Sequence, residues 1–179
     1  MTSRGTRLAV NVVGVNLGWF ACVLGAAHGI HWLGPASAAG LLAVHLALNR
    51  PWHTELAVAM VGGAFGFVFD SLLIAAGAYE AERWLLPPPL TAVWLVALWV
   101  NFALVLNVAL GWLQGRWVLA AGLGLVGGPA AYYSGQRLGA VHLASPMWRS
   151  LLALGVAWAI AIPLLLWVAR ALRRRAEQG

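Results

Sequence analysis

The chain has 179 residues, of which 62% are apolar and only 9% are charged, and its mean hydropathy is +0.82. A soluble domain carries about 25% charged residues, so this composition excludes an ordinary water-soluble protein and predicts an integral membrane protein. The formal net charge of +6 comes from arginine, because the chain contains no lysine. We interpret this positive charge as a determinant of membrane topology and expect no nucleic-acid partner.

Six apolar stretches approach or exceed the roughly 20 residues that cross a bilayer. Each is predicted to be a helix, because backbone polar groups in lipid must be hydrogen-bonded within the segment. The predicted fold class is an all-α membrane protein, a compact bundle of six transmembrane helices that forms one domain over residues 1–179. The predicted spans are residues 8–28, 31–49, 56–79, 91–113, 117–135 and 149–170.

The distribution of arginine predicts the orientation of these spans. With six spans, both termini share one side of the membrane, and the positive-inside rule places the arginine-rich side in the cytoplasm. Both termini are therefore predicted to be cytoplasmic. The predicted cytoplasmic arginines are Arg4, Arg7, Arg50, Arg116, Arg170, Arg173, Arg174 and Arg175, against Arg83, Arg137 and Arg149 on the other side.

A set of polar side chains lies within the spans, toward their cytoplasmic half or near their middle. Interhelical contacts of asparagine and histidine in membranes average about 0.6 kcal/mol, so we interpret this inner polar set as contacts that fix helix register. A haem ligand is the alternative for the histidine, but no second suitably placed histidine is evident, and no cofactor is predicted. The inner polar set is Asn11, Asn16, His45, Asn101 and Asn107.

Asp70 is the one charged residue between positions 56 and 79. On a helix, Gly63, Gly66 and Gly77 lie within about 40° of it, and a stripe of glycine is a surface on which another helix packs closely. The carboxylate is therefore predicted to face the bundle interior. An ionisable group within a membrane indicates a functional site, whereas an interhelical hydrogen bond or a helix cap is the structural alternative.

Several polar residues are predicted at the same, outer ends of the spans as Asp70. His28 and His31 are three positions apart, so both rings could face a metal ion or a proton relay, although histidine is also common at membrane interfaces. No HExxH or GxSxG motif occurs, and we assign neither a metal site nor a catalytic residue. The candidate functional cluster is Asp70, His28, His31, Tyr132, Tyr133 and His142.

The fifth span contains the stretch "GLGLVGGPAAYYSGQRLG" at residues 122–139. Pro129 cannot donate a backbone hydrogen bond, and Gly127 and Gly128 precede it, so a kink or break is predicted near mid-membrane. Interrupted helices of this kind expose backbone dipoles to substrates in transporters. The alternative is a proline kink that only shapes helix packing.

Four stretches, "NLGWFACVLGAA", "DSLLIAAG", "WLVALWVNFALVLN" and "GGPAAYYSGQRLGAV", occur in that order along the chain. Together they resemble an uncharacterised family of small bacterial inner-membrane proteins, classed as a domain of unknown function. The resemblance implies a multi-pass protein of the bacterial inner (plasma) membrane. It also implies genes located near cyclopropane-fatty-acid synthases and other membrane-lipid genes, and it implies no catalytic residues.

Three functions follow as hypotheses. A lipid-side accessory or lipid-modifying protein would use the polar cluster around Asp70, and it predicts a lateral opening with an apolar groove for an acyl chain. A small proton-, ion- or lipid-coupled transporter predicts a polar cavity that reaches the membrane midplane. A structural subunit of a larger membrane complex predicts a packed interior without a cavity. The expected partners are membrane lipids, with a homodimer or a larger membrane complex as the assembly.

Overall fold

The computed structural model describes residues 3–82 and 85–178. Within these residues the chain forms a bundle of six α-helices with a two-stranded antiparallel ribbon, which confirms the predicted all-helical class apart from the ribbon. Arg83, one of the arginines used to predict orientation, lies outside the described residues. The elements are α1 (Arg4–Ala27), α2 (Leu33–Leu48), α3 (Trp52–Ala75), β1 (Tyr79–Ala81), α4 (Val93–Ala103), a one-turn 3₁₀ helix (Gly111–Leu113), α5 (Trp117–Arg137), β2 (Val141–Leu143) and α6 (Met147–Gln178).

Among the helices of residues 3–82 and 85–178, three, α1, α3 and α6, are long and apolar enough to cross a membrane. The α2 and α4 helices have 16 and 11 residues, so at 1.5 Å per residue they are about 24 and 17 Å long. Both are shorter than the roughly 30 Å of a hydrocarbon core. The α5 helix has 21 residues, but its glycines and the polar residues of its last two turns lower its hydropathy.

The ribbon is positioned by two glycines that end the helices before it. Gly77 follows α3 with φ of 70° and Gly139 follows α5 with φ of 87°, a left-handed conformation that favours glycine. In each case the next amide closes the helix end, from Ala78 to the Leu73 carbonyl and from Ala140 to the Gly135 carbonyl, both at 2.9 Å. These turns end α3 four residues before the predicted end of span three and direct Tyr79 into β1, where it pairs with Leu143.

The ribbon defines one end of the bundle, which we call the ribbon end. Gly139 lies beside Ala27, the last residue of α1, so α1 ends at the ribbon end and α2 begins at the ribbon end. At the opposite end, Asn11 near the start of α1 hydrogen-bonds the Leu104 carbonyl just after α4. Gly115, before α5, lies beside Arg170 near the end of α6. Successive helices therefore alternate in direction.

The predicted break in the fifth span is wrong. The α5 helix runs without interruption through Gly127, Gly128 and Pro129, although proline removes one backbone hydrogen bond from a helix interior. The glycines of this helix serve packing instead. Gly124 and Gly128 lie directly against Trp158 of α6. Of the two alternatives for this span, a broken helix and a proline kink that only shapes helix packing, the second therefore remains.

The interruption lies instead in the predicted fourth span. The α4 helix ends at Ala103, and residues 104–110 form turns before the 3₁₀ helix. Side-chain amides stabilise the freed carbonyls, since Asn11 donates to the Leu104 carbonyl at 2.9 Å and Gln114 donates to the Leu106 carbonyl at 3.2 Å. The prediction of a single helix over residues 91–113 is therefore wrong, because polar partners from distant segments replace helical hydrogen bonds.

Gly124→Ala tests the close packing of α5 on α6. The added Cβ would lie 2.1 Å from the Trp158 carbonyl oxygen, a backbone atom that cannot rotate away, and overpacking costs about 1–3 kcal/mol. We expect a lower apparent Tm by size-exclusion chromatography after heating. Gly122→Ala is the control, since nothing lies within 4 Å of its added Cβ. Equal losses in the two variants would contradict this packing.

Candidate functional site

Asp70 is fully buried in the interior of the bundle, on the face of α3 that the glycine stripe indicates. Trp99 of α4 donates its Nε1–H to Asp70 Oδ2 at 2.7 Å, and the Tyr132 hydroxyl of α5 donates to Asp70 Oδ1. Buried carboxylates require such donors because an unpaired buried charge is strongly unfavourable. The carboxylate thereby connects three helices.

Tyr79 of the ribbon completes the surroundings of this carboxylate. Its ring packs edge-on against Tyr132, with ring centroids 4.9 Å apart and an interplanar angle of 67°. Tyr79 lies beyond the end of α3, and burial, followed by the charge of Asp70, raises the pKa of its phenol well above the ordinary value. The Tyr79 hydroxyl therefore stays protonated near the Asp70–Tyr132 pair.

An aromatic cluster holds Trp99 in position. Trp99 stacks on Trp158 with ring centroids 4.6 Å apart and an interplanar angle of 13°, and Phe69 packs against both indoles. Gly66 makes room for this arrangement, because an added Cβ there would lie 1.9 Å from Trp99 Cγ. The glycine beside Asp70 thus allows α4 to approach until the indole reaches the carboxylate.

The other members of the candidate functional cluster lie outside this hydrogen-bonded group. His28 is exposed and donates from Nδ1 to the Leu24 carbonyl of its own helix at 2.9 Å. His142 is exposed in β2, with Nε2 3.4 Å from Glu82 Oε1. Tyr133 is 42% exposed, because adjacent residues on a helix point about 100° apart.

His31 lies half-buried in the connection between α1 and α2, at the ribbon end. The structure therefore joins Asp70 to Tyr132, while the histidines of the candidate cluster occupy the same end of the bundle. Within residues 3–82 and 85–178, no group of three or more His, Cys, Asp or Glu side chains is arranged to hold a metal ion.

Two residues of the site were missed by sequence reasoning. Trp99 lies in the middle of the predicted fourth span, away from the membrane interface where tryptophan is usual, and this position was the available signal. Tyr79 was the last residue of the predicted third span, and no sequence signal indicated that a turn at Gly77 would fold it back onto Tyr132.

A partly open cavity of about 350 Å³ lies beside the Asp70–Tyr132 pair. Its volume falls within the range of small-molecule pockets. Residues of α1, α4, α5 and α6 line it. The lining residues include Val15, Trp19, Leu98, Gly127, Ala131 and Trp158. Gly127 and Gly128, predicted to break the fifth span, line this cavity instead.

The polar lining of the cavity is small. Tyr132 and Asn101 line it among apolar and aromatic residues. Two buried polar atoms of lining residues, Trp158 Nε1 and Asn101 Oδ1, have no hydrogen-bond partner in the described part of the chain. The cavity therefore suits a predominantly apolar molecule.

The inner polar set forms a second buried network, at the end opposite the ribbon. His45 Nε2 lies 2.9 Å from Glu55 Oε2, and Asn107 donates to Glu55 Oε1 at 3.1 Å. Asn101 donates to the Val15 carbonyl at 2.8 Å, which joins α4 to α1. Asn16 differs, since its amide contacts the Val12 carbonyl of its own helix and it is exposed.

Glu55 is the central residue of this network and was also missed. It precedes the predicted start of the third span by one residue, and no role was predicted for it from the sequence. The structure extends α3 back to Trp52 and buries Glu55 in the first turn, because His45 and Asn107 satisfy both carboxylate oxygens.

A family model described as a protein of unknown function, DUF2878, matches residues 8–164. The chain belongs to this family. No curated protein and no solved structure matches it. Family membership therefore assigns no activity to the chain.

Tyr132→Phe tests the hydrogen bond to Asp70. The substitution removes one donor from a buried carboxylate, and a hydrogen bond to a charged group is worth about 1.5–3 kcal/mol. We expect an apparent Tm several degrees lower in the purified protein. Tyr133→Phe is the matched control on the same helix turn, since its exposed hydroxyl makes no contact with Asp70. A Tm for Tyr132→Phe equal to that of the control would show that the bond does not stabilise the fold.

Proposed function

We propose that this chain is a lipid-side accessory or lipid-modifying protein of the bacterial inner membrane that binds the acyl chain of a membrane lipid. The observation that carries the proposal is the partly open apolar cavity of about 350 Å³ that residues of α1, α4, α5 and α6 line. An apolar groove for an acyl chain is what this function predicts, whereas a purely structural subunit predicts a filled interior.

The proposed membrane arrangement has six crossings and cytoplasmic termini. The alternating helix directions support it, as does the concentration of arginine at the end opposite the ribbon. The α4 helix is short, but the chain continues beyond its end through residues 104–106, which form turns and are buried. Irregular backbone at membrane depth is tolerated where protein buries it, so the fourth segment can cross as a helix followed by turns.

The surroundings of the cavity favour a lipid as its occupant. The α1 and α5 helices, which both line the cavity, also carry exposed apolar side chains, including Leu17 on α1 and Val126 on α5, at 62% and 70% exposure. These side chains would contact acyl chains in a bilayer. A lipid tail can therefore enter sideways, while a polar solute would find few hydrogen-bond partners in the lining.

The Asp70–Tyr132 pair supplies the reactive chemistry of the proposed site. Tyr132 lines the cavity and its hydroxyl contacts the buried carboxylate. A hydroxyl and a carboxylate in hydrogen-bond contact can exchange a proton, which is the requirement for general acid–base catalysis. In the proposed function, the pair delivers or removes a proton at the polar end of the bound lipid.

A small proton- or ion-coupled transporter is the second candidate. The interruption of the fourth helix after Ala103, next to the buried Glu55 network, favours it. Discontinuous helices at buried polar sites are typical of transporters. The apolar lining of the main cavity favours the lipid-binding function over this alternative.

The occupant of the cavity can be tested with Gly127→Leu. An added Cβ at Gly127 has nothing within 4 Å, so leucine fills the cavity without displacing its walls. We expect much less lipid to copurify than with the unmodified protein, measured by mass spectrometry of extracted lipid per mole of protein. Gly122→Leu is the control, on the same helix, with equally open space and outside the cavity lining. Unchanged lipid content in Gly127→Leu would refute acyl-chain binding in this cavity.

The proposed orientation can be tested with two single cysteine variants. His142→Cys lies at the ribbon end and His53→Cys at the opposite end, and both positions are exposed. The native Cys22 is fully buried, so it contributes little background labelling. We expect a membrane-impermeant maleimide to label position 142 in intact spheroplasts and position 53 only after permeabilisation. The reverse labelling pattern would show that the orientation in the membrane is opposite to the proposed one.

A further inference from the structure

Residues of α1 and α2 line a small, partly open pocket at the end opposite the ribbon. Its volume is about 20 Å³, and a space of about 10–15 Å³ holds one water molecule, so it admits one hydroxyl-sized group. Its polar lining comes from Arg7 and Asn11 of α1, His45 of α2 and Asn49 at the end of α2. Arg7 is partly exposed, whereas the other three residues are buried.

Two polar atoms of the lining residues are unpaired. Asn11 donates from Nδ2 to the Leu104 carbonyl at 2.9 Å, which fixes its amide and leaves Oδ1 as an acceptor. Asn11 Oδ1 and Arg7 Nε are buried and have no hydrogen-bond partner in the described part of the chain. A hydroxyl group satisfies both atoms, because it accepts one hydrogen bond and donates another.

Arginine surrounds the exposed side of this pocket. Among the residues that the structure describes, Arg7 takes part in no ion pair. Arg4, one turn earlier on α1, and Arg50, directly after Asn49, are both exposed. Three arginines therefore lie where α1 begins and α2 ends, and guanidinium groups are well suited to bind phosphate.

The buried carboxylate at this end does not neutralise these arginines through an ion pair. Glu55 is absent from the pocket lining. Its oxygens are occupied by His45 Nε2 at 2.9 Å and by the Asn107 amide at 3.1 Å. The charge that the pocket presents to a ligand is therefore positive, and it complements an anionic group.

The remaining lining is apolar and lies deeper in the bundle than Arg7. Val10 and Gly14 follow Arg7 by about one and two turns of α1, and Leu41 and Val44 of α2 complete this apolar part. Val10 and Val44 are 39% and 47% exposed, so they would contact lipid in a bilayer. A phospholipid has the same order of groups, with a charged head above an apolar chain. Basic pockets formed by transmembrane helices bind anionic lipid headgroups.

We propose that this pocket binds the headgroup of an anionic phospholipid that carries a hydroxyl group, such as phosphatidylglycerol. The phosphate lies against the guanidinium of Arg7. A glycerol hydroxyl enters the pocket, accepts a hydrogen bond from Arg7 Nε and donates one to Asn11 Oδ1. One acyl chain of the lipid lies along the apolar part of the lining.

This headgroup site is distinct from the apolar cavity beside Asp70. Val15 is the one residue that lines both spaces. The polar groups of the headgroup site belong to the opposite end of the bundle from the ribbon, whereas Tyr132 lines the cavity. The headgroup site therefore does not depend on the proposed function of the cavity.

Lipid titration of the full-length protein in detergent, followed by native mass spectrometry, tests the headgroup. The three lipids are phosphatidylglycerol, phosphatidylcholine and phosphatidylethanol with identical acyl chains. Phosphatidylethanol keeps the single negative charge but lacks a hydroxyl. We expect phosphatidylglycerol to bind about tenfold more tightly than phosphatidylcholine, the effect of one charge-assisted hydrogen bond, and several-fold more tightly than phosphatidylethanol. Equal binding of phosphatidylcholine would overturn the site, and equal binding of phosphatidylethanol would overturn the hydroxyl contact.

Two substitutions of Arg7 separate its charge from its Nε–H. We expect Arg7→Gln to weaken phosphatidylglycerol binding about tenfold. Arg7→Lys keeps the charge but lacks the planar guanidinium, so we expect it to lose the preference for phosphatidylglycerol over phosphatidylethanol. Arg174→Gln is the matched control, because it removes the same charge from an exposed position outside the pocket lining. Equal losses in Arg7→Gln and Arg174→Gln would show general attraction to a positive surface and would overturn the site.

Two further measurements identify the source of the phosphate and the place of binding. Soluble glycerol 3-phosphate should not displace phosphatidylglycerol at equal concentration, because it lacks the acyl chain. Displacement would assign the pocket to a free phosphate ester and overturn the lipid. Gly127→Leu should retain phosphatidylglycerol binding, since Gly127 lines the cavity and not this pocket. Loss of the preference for phosphatidylglycerol in that variant would place the headgroup in the cavity.

Discussion

The buried carboxylate of Asp70 is the constraint on which the ribbon end of the bundle depends. A buried charge needs hydrogen-bond donors, and here they come from Trp99 and Tyr132 on two other helices. This requirement sets how closely the helices approach. Gly66 must lack a side chain so that Trp99 can reach the carboxylate, and Trp158 must stack on Trp99 to hold its indole in place.

The cavity follows from the same packing. Gly124 and Gly128 bring α5 directly onto α6, against Trp158, while α1 packs on α2 and α4 on the other side. An apolar space that residues of α1, α4, α5 and α6 line remains between these packed helices. Tyr132 connects this space to the carboxylate, which gives an apolar binding volume a polar contact of defined chemistry.

A second buried carboxylate, Glu55, organises the opposite end of the bundle. It holds His45 of α2 and Asn107 of the segment after α4, and that segment gives up helical hydrogen bonds to make these contacts. The α3 helix thus carries one buried carboxylate near each end, with the aromatic cluster of Phe65, Phe69 and Trp99 between them. The two sites are separated by apolar packing, so each can be altered without removing the other's hydrogen-bond partners.

The sequence by itself determined the membrane character, the number of helices, the family and the inward direction of Asp70. These properties follow from local hydropathy, from motif order and from helical periodicity, which need no knowledge of neighbouring segments. Only the tertiary structure decided that α4 ends at Ala103, that α5 continues through Pro129, and that Glu55 is buried. Each depends on partners distant in sequence: Asn11 on the Leu104 carbonyl, Trp158 against the α5 glycines, and His45 with Asn107 on Glu55. A hydrogen bond between distant segments outweighs local preference because an unpaired buried polar group costs about 1–3 kcal/mol, whereas helix propensities of ordinary residues differ by at most about 0.7 kcal/mol.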